Sequence, residues 1–405
     1  MATQTISEQN TVHRILAERV GLEIRVARSV AEVETLREAW TAWPCHRDSD
    51  LDFYLMINQA YPQILRPHVV ALYRDGKPEA ILVGRLDKKP IAFNVGYFRK
   101  IRVLARCLTF VYDPIHGNGS PENAKLLLQE VMNGLKRNEA DLASLEFVPV
   151  NSNIYDLALK LPNILSRDTL PAAQGHESLI IPDSIDQVYR RMSSVRRKHI
   201  KASMRKLQNH AIGQSRIVCY QHESELGQLF RDTEEIAKKT YQRGLGAGFS
   251  DASDTRMRLE MAARKGWLRA NLLYLGDRPV AFWIGMLYRD TFLSEYMGYD
   301  PEFRQSSPGM VLIMHVLEGF CARKGGDVVR ELDFGLGHAE YKTVLCSKSW
   351  QEARVYIFSS TIKGLLLKSI RTTAAIADNS GRRLLAWAKL VPKLKRAWRD
   401  RLAKS

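Results

Sequence analysis

Cysteine is scarce in this chain, and what there is of it is scattered. Cys45, Cys107, Cys219, Cys321 and Cys346 are odd in number and include no Cys-x-x-Cys pair. That argues against a disulfide framework and against structural zinc, so no metal is expected. No apolar run approaches the roughly 20 residues needed to span a bilayer. The start, Met1-Ala-Thr-Gln-Thr-Ile-Ser-Glu-Gln-Asn10, lacks the cationic and apolar regions of a secretory signal. These absences point to cytoplasmic residence. Acid is short as well: 44 Asp and Glu face 60 Lys and Arg, a net charge of +16 over 405 residues.

The excess of base is local. Ile185–His210 holds Arg190, Arg191, Arg196, Arg197, Lys198, Lys201, Arg205 and Lys206 against Asp186. Thr361–Ser405 holds twelve Lys and Arg against Asp378 and Asp400. The remainder is close to neutral. In the last segment Leu365, Leu366, Leu367, Ile370, Leu384, Leu385, Trp387, Leu390, Leu394 and Trp398 alternate with the cations. Such a tail suits a helix lying on the inner face of an anionic membrane, docking on the protein body, or phosphate contacts with nucleic acid.

The length suits two domains, and the sequence repeats itself. Leu72-Tyr73, Lys77-Pro78, Ala80 and Gly84 match Leu273-Tyr274, Arg278-Pro279, Ala281 and Gly285. Tyr112-Asp113-Pro114, Ser120-Pro121, Leu145 and Phe147 match Tyr299-Asp300-Pro301, Ser307-Pro308, Leu332 and Phe334. The first copy has a longer connection between Gly84 and Tyr112. Each first block reads as a hairpin, with Asp75-Gly76 as turn chemistry. A duplicated α/β unit follows. The expected division is a lead-in over 1–20, a first unit over 21–172, a second over 173–360, and the basic tail over 361–405.

The second copy holds the most telling stretch. Thr291–Asp300 reads as a strand, Met310–Arg323 as a helix, and Val328–Phe334 as a parallel strand leading into Gly335-Leu-Gly-His-Ala-Glu-Tyr-Lys342. Strand, small-residue loop and helix leave unpaired N–H groups aimed at an anion. The helix opens with Ser307-Pro308-Gly309 in this copy and Ser120-Pro121-Glu122 in the first. A carboxylate there would repel a diphosphate by about 1 kcal/mol or more. The second copy is therefore the one suited to a phosphate-bearing ligand.

Before the second hairpin, Ser184 and Gln187 have capping-box spacing. They open a helix with Val188, Met192, Val195, His199 and Ala202 on one apolar stripe, which makes His199 a core histidine.

These residues resemble the GNAT acyltransferase superfamily. Its pyrophosphate loop, Arg/Gln-x-x-Gly-x-Gly/Ala, would be Arg304, Gln305, Ser306, Ser307, Pro308 and Gly309 here, with serine for the first glycine. Tyr299-Asp300-Pro301, Ser307-Pro308-Gly309, Asp333-Phe334-Gly335 and Tyr341-Lys342 resemble more closely the CelD-like branch of cellulose and exopolysaccharide biosynthesis, related to FemAB-type transferases. The resemblance is strongest over Ser184–Phe358. It implies two tandem GNAT-like units, each a mixed twisted sheet flanked by helices, the first with a degenerate cofactor loop, followed by a basic helical tail. It also implies acyl-CoA, with acetyl-CoA the expected donor, bound by Arg304 and the amides up to Met310. The acyl group would pass to an amino or hydroxyl group of a sugar precursor or surface polysaccharide.

Transfer needs a proton acceptor and donors for an oxyanion. Glu295 could take a proton directly or through water, or form a structural ion pair. His338 has a suitable intrinsic pKa. Asp333 serves better to orient the turn that follows it. Lys342 could stabilise an anion, a role implied by the Fem-like resemblance, or be solvated. Tyr299 and Tyr341 could protonate the leaving group or simply pack. Arg196, Arg197, Trp283 and Glu340 are candidate acceptor contacts; for Trp283 the core is the competing reading, and for the arginines a solvated face. Two other functions stay open: a Fem-like enzyme taking aminoacyl-tRNA, with RNA on the basic helix, and an inert scaffold of a polysaccharide synthase.

Overall fold

The computed structural model describes residues 21–95, 99–210, 214–240, 243, 248–323, 326–337 and 339–387. The expected lead-in and the end of the tail lie outside them. Contacts divide the chain into two units: one runs to Gln174 and resumes over Gln351–Trp387, and the other is Gly175–Trp350.

In the first unit β1 (Leu22–Ala27), β2 (Ile64–Arg74), β3 (Lys77–Val95) and β4 (Arg99–Gly117) are successive antiparallel neighbours. Helix Pro121–Lys136 then returns the chain to β5 (Leu142–Pro149), parallel to β4. Asp75 and Gly76 both have positive φ, as the expected tight hairpin turn requires. One face of this sheet packs Leu127, Leu128 and Val131 of the helix against Val70, Leu82 and Phe110; the other takes Trp40 and Tyr54.

The second unit follows the same plan. β6 (Ala172–Ile180) comes first in sequence, and β7 (Ser215–Tyr220), β8 (Leu268–Leu275), β9 (Arg278–Tyr288) and β10 (Thr291–Tyr299) form the antiparallel series. Helix Pro308–Cys321 crosses to β11 (Glu331–Leu336), which is parallel to β10 and antiparallel to β6. The chain then returns to the first unit with β12 (Lys348–Phe358), antiparallel to β5. Residues 351–360 thus pack with the first unit, not with the second, because β5 supplies their ladder.

The duplication extends to the irregularities. The first hairpin slips register between Leu72 and Tyr73, the second between Leu273 and Tyr274. The extra length of the first copy is an extension of the β3–β4 hairpin, whose strands have 19 residues each against 11 and 9 in β9 and β10.

One expectation is corrected. The helix after Ser184 is two helices, Ile185–Arg190 and Ser194–Gln208, and Ser184 makes no side-chain cap. Ser193 caps the second by accepting from Arg196 N, which resets the phase of the buried face to Ile200, Ser203 and Leu207. Val195 and His199 are consequently exposed. The start of the tail is part of helix Ile362–Trp387, which buries Leu367 and Ala374 on the first unit and pins itself through Lys363 to Asp141 at 2.8 Å.

Candidate functional site

β10 and β11 pair only over Thr291–Leu293 and Glu331–Asp333, although the strands run on to Tyr299 and Leu336. Their C-terminal parts therefore carry backbone groups with no parallel ladder between them. This is the end of a parallel pair at which ligands gather in α/β sheets.

Beyond β10 the chain makes a 3-10 turn, Pro301–Ser306, held from below. Asp300 is 1% exposed, caps the turn by accepting from Glu302 N, and receives Lys239 and Arg278 at 2.8 Å each. Burial alone would raise its carboxyl; the bonds from Lys239 and Arg278 hold it below the usual carboxylate range. Ser307 then takes a left-handed conformation, φ 44° and ψ 49°. That is the backbone glycine adopts freely, which gives a physical reason for the glycine of the resembled loop and for the sharp entry into the helix. Ser307 donates its N–H to Arg304 O, and its carbonyl receives Val311 N. Its hydroxyl does not cap the helix. Pro308, at the first helical position, has no N–H to satisfy. The amides of Gly309 and Met310 thus open the helix without a side-chain cap, between exposed Arg304 and Gln305 and buried Ser306.

His199 adds to this corner. Its Nε2 lies 3.0 Å from Ser307 Oγ, from the exposed face of the basic helix. The apolar stripe predicts a core position for it, and the break at Ser193 turns it outward instead. Arg196, one turn earlier, forms an ion pair with exposed Glu340. Nη1 of Arg197 donates to the carbonyls of Tyr189 and Met192, which makes it a brace of the preceding helix.

The turn after β11 is organised by two expected residues. Asp333 Oδ1 accepts Gly335 N and contacts His176 Nε2, both at 2.6 Å. His176 is stacked on Trp350 with ring centroids 4.3 Å apart. Lys342 is 7% exposed, and its ammonium donates to the carbonyls of Gly335, Leu336 and Gly337 at 3.2, 3.0 and 3.2 Å. All three of its protons are used, so Lys342 holds the turn instead of offering a free cation. Burial lowers its pKa, with Glu177 and Asp333 opposing. Tyr341 packs edge-on against Phe334. Glu295 stands on the β10 bulge with Arg258 3.8 Å away. Trp283 is fully buried, donating to Ser294 and packed on Phe292, which makes it a core residue. His338 lies outside the described residues. Among the described residues no group of three or more His, Cys, Asp or Glu is placed to hold a metal.

An open hollow of about 340 Å³ borders the corresponding helix start of the first unit, lined by Gly119, Ala124, Asn151 and Ser152. There the helix opens with exposed Glu122 in its first turn, where Gly309 stands in the second unit.

Residues 194–343 match the model of the family described as an acetyltransferase (GNAT) domain. No curated protein matches the chain. Among solved structures it is similar to a conserved protein of unknown function from Bacteroides thetaiotaomicron, at 11% identity and a TM-score of 0.46, covering 83% of this chain and 100% of that one. It is similar to FemX, at 12% identity and 0.47, covering 75% and 90%. A tandem GNAT protein from the clavulanic acid biosynthesis pathway matches at 11% identity and 0.46, covering 84% and 99%.

Proposed function

We propose that the GNAT-type acyltransferase domain of this chain draws its acyl group from acyl-CoA, bound by its diphosphate at the start of helix Pro308–Cys321. The observation that carries this reading is the state of that helix start. Its first amides are uncapped, it holds no acid in its first turn, and Arg304 and His199 flank it. Gly309 supports the same reading. Its φ is not positive, and a Cβ there would meet only Tyr299 Cδ1, at 3.4 Å. The fold does not require glycine at this point; a diphosphate pressed against the backbone does.

The thioester would extend toward the divergence of β10 and β11. The acceptor's nitrogen or oxygen forms a bond to the thioester carbon, the C–S bond breaks, and the acceptor's proton leaves through Glu295 or a water beside it. Tyr299, at the end of β10 next to Gly309, would return a proton to the departing thiolate. Among the described residues no Cys–His pair supports a covalent enzyme intermediate, so the attack would be direct. Acetyl-CoA as donor, and an amino or hydroxyl group of a sugar precursor or surface polysaccharide as acceptor, rest on the CelD-like motifs around Tyr299, Asp333 and Lys342.

Ligand binding to the native state must raise the melting point by mass action. Acetyl-CoA, longer acyl-CoAs or free CoA should therefore raise it, Gly309→Glu should abolish the shift, and Glu122→Gln should leave it intact. Equal insensitivity to both substitutions would refute the assignment of the donor to the second copy. A second reading, an aminoacyl-tRNA donor, draws on exposed Lys198 and Lys206 of the basic helix, which have no carboxylate partner among the described residues. Co-purifying tRNA together with no CoA response would favour it.

A further inference from the structure

Six large aliphatic side chains stand in water around the closing helix of the first unit. On helix Ile362–Trp387, Ile362 is 89% exposed, Leu366 55% and Ile376 54%. At 3.6 residues per turn these positions return to within about 40° of one line. They lie away from buried Leu367, Ala374 and Ala375. Beside the helix the turn at Asn163 presents Ile164 and Leu165 at 70% and 58% exposure, with Leu170 at 36% just beyond.

These side chains are not exposed by looseness. Asn163 Oδ1 accepts the N–H groups of Leu165 and Ser166 at 3.0 Å, and Arg167 donates to Pro162 O. The helix grips the same segment: Lys368 donates to Ile164 O, and Arg371 donates to Leu170 O at 2.7 Å. Scattered apolar residues on a surface need no explanation, but a braced group of this size marks an interaction surface.

Its form and charge select the occupant. A turn tip and the outer face of a helix are convex, and so do not enclose a small ligand. A second copy of the chain would bring together two tails that each carry twelve Lys and Arg against two Asp. Aliphatic side chains on a rigid frame, continued by a cationic segment, suit the headgroup boundary of a bilayer containing acidic lipids. No described helix is long and apolar enough to cross it. We propose that Ile164, Leu165, Ile362, Leu366 and Ile376 seat this protein on an anionic lipid surface. The proposal does not depend on the identity of the acyl donor.

Flotation of the full chain with vesicles of phosphatidylcholine alone, or mixed with phosphatidylglycerol, tests it. Binding is expected with the mixed vesicles and should weaken with salt. Each of the double variants I164S/L165S and L366S/I376S should lower the partitioning at least about tenfold, the loss that withdrawing only two methylenes from a lipid boundary would bring. Because these residues are exposed, unchanged melting curves will confirm that the variants fold. Partitioning indifferent to phosphatidylglycerol, or unaffected by both variants, would overturn the proposal. So would a dimer in light scattering that I164S/L165S dissolves, since that would make the surface a self-interface.

Discussion

A Cβ added at Gly285 would lie 2.3 Å from Phe292 Cζ and 2.7 Å from the Leu293 carbonyl, whereas one added at Gly309 meets only the edge of a tyrosine. Gly84, its counterpart in the first copy, likewise has the Phe110 ring at 2.6 Å. The repeated glycine of the hairpin thus exists for packing, and the glycine of the helix start does not. Gly285→Ala should cost about 1–3 kcal/mol in denaturant melts, as overpacking does. Gly309→Ala should leave stability unchanged or raise it by up to about 1 kcal/mol, yet diminish the acyl-CoA-induced thermal shift. A Gly309→Ala protein as unstable as Gly285→Ala, or one with an undiminished shift, would contradict the distinction. The sequence shows both glycines and gives no sign of which is which, because the difference lies in a neighbouring strand. Ser307 and His199 were equally illegible: a left-handed serine has no sequence mark, and the histidine followed an apolar stripe that a cap at Ser193 interrupts.

At the scale of elements, local pattern identified the hairpins and, in the second unit, the strand, crossover helix and parallel strand, where period and turn residues agree. It failed where tertiary partners decide, as in the split basic helix and in the three carbonyls that draw Lys342 inward. Glu139 is another such case. It follows the helix Pro121–Lys136 and gathers Arg28, Arg66 and Arg137 at 3.0, 3.0 and 3.1 Å. Burial would raise its carboxyl, but the arginines bring it down to about 2. An unfolded Glu titrates near 4.3, so the folded value is the depressed one. The stabilisation is then complete above the unfolded pKa and is lost as pH falls through the folded one. Glu139→Gln should therefore lower stability by about 2 kcal/mol at neutral pH, and the gap from the unsubstituted protein should close as pH drops from about 5 toward 2. Melts across that range read it directly; a gap independent of pH would mean that packing, not charge, is what Glu139 contributes.

At the scale of the molecule, the duplication could be read from two ordered blocks of matching residues, and the helix starts of the two copies could be ranked by Glu122 against Gly309. The path of the last strand could not. β6 and β12 fill the same place, each antiparallel beside the strand that follows the crossover helix, but the first unit takes the one that comes last. A chain stopped after Ser347 should leave the edge of β5 bare and self-associate, seen as loss of monomer in gel filtration. A monomer with an unchanged melt would show that β12 is dispensable. During synthesis that edge must wait for roughly 200 further residues, on the order of ten seconds or more at ribosomal speed. β6 emerges long before β12 and is a ready substitute, so the nascent protein has a wrong pairing available before the right one exists. Its yield in the cell should accordingly depend on how fast it is translated and on the chaperones that meet it at the exit tunnel.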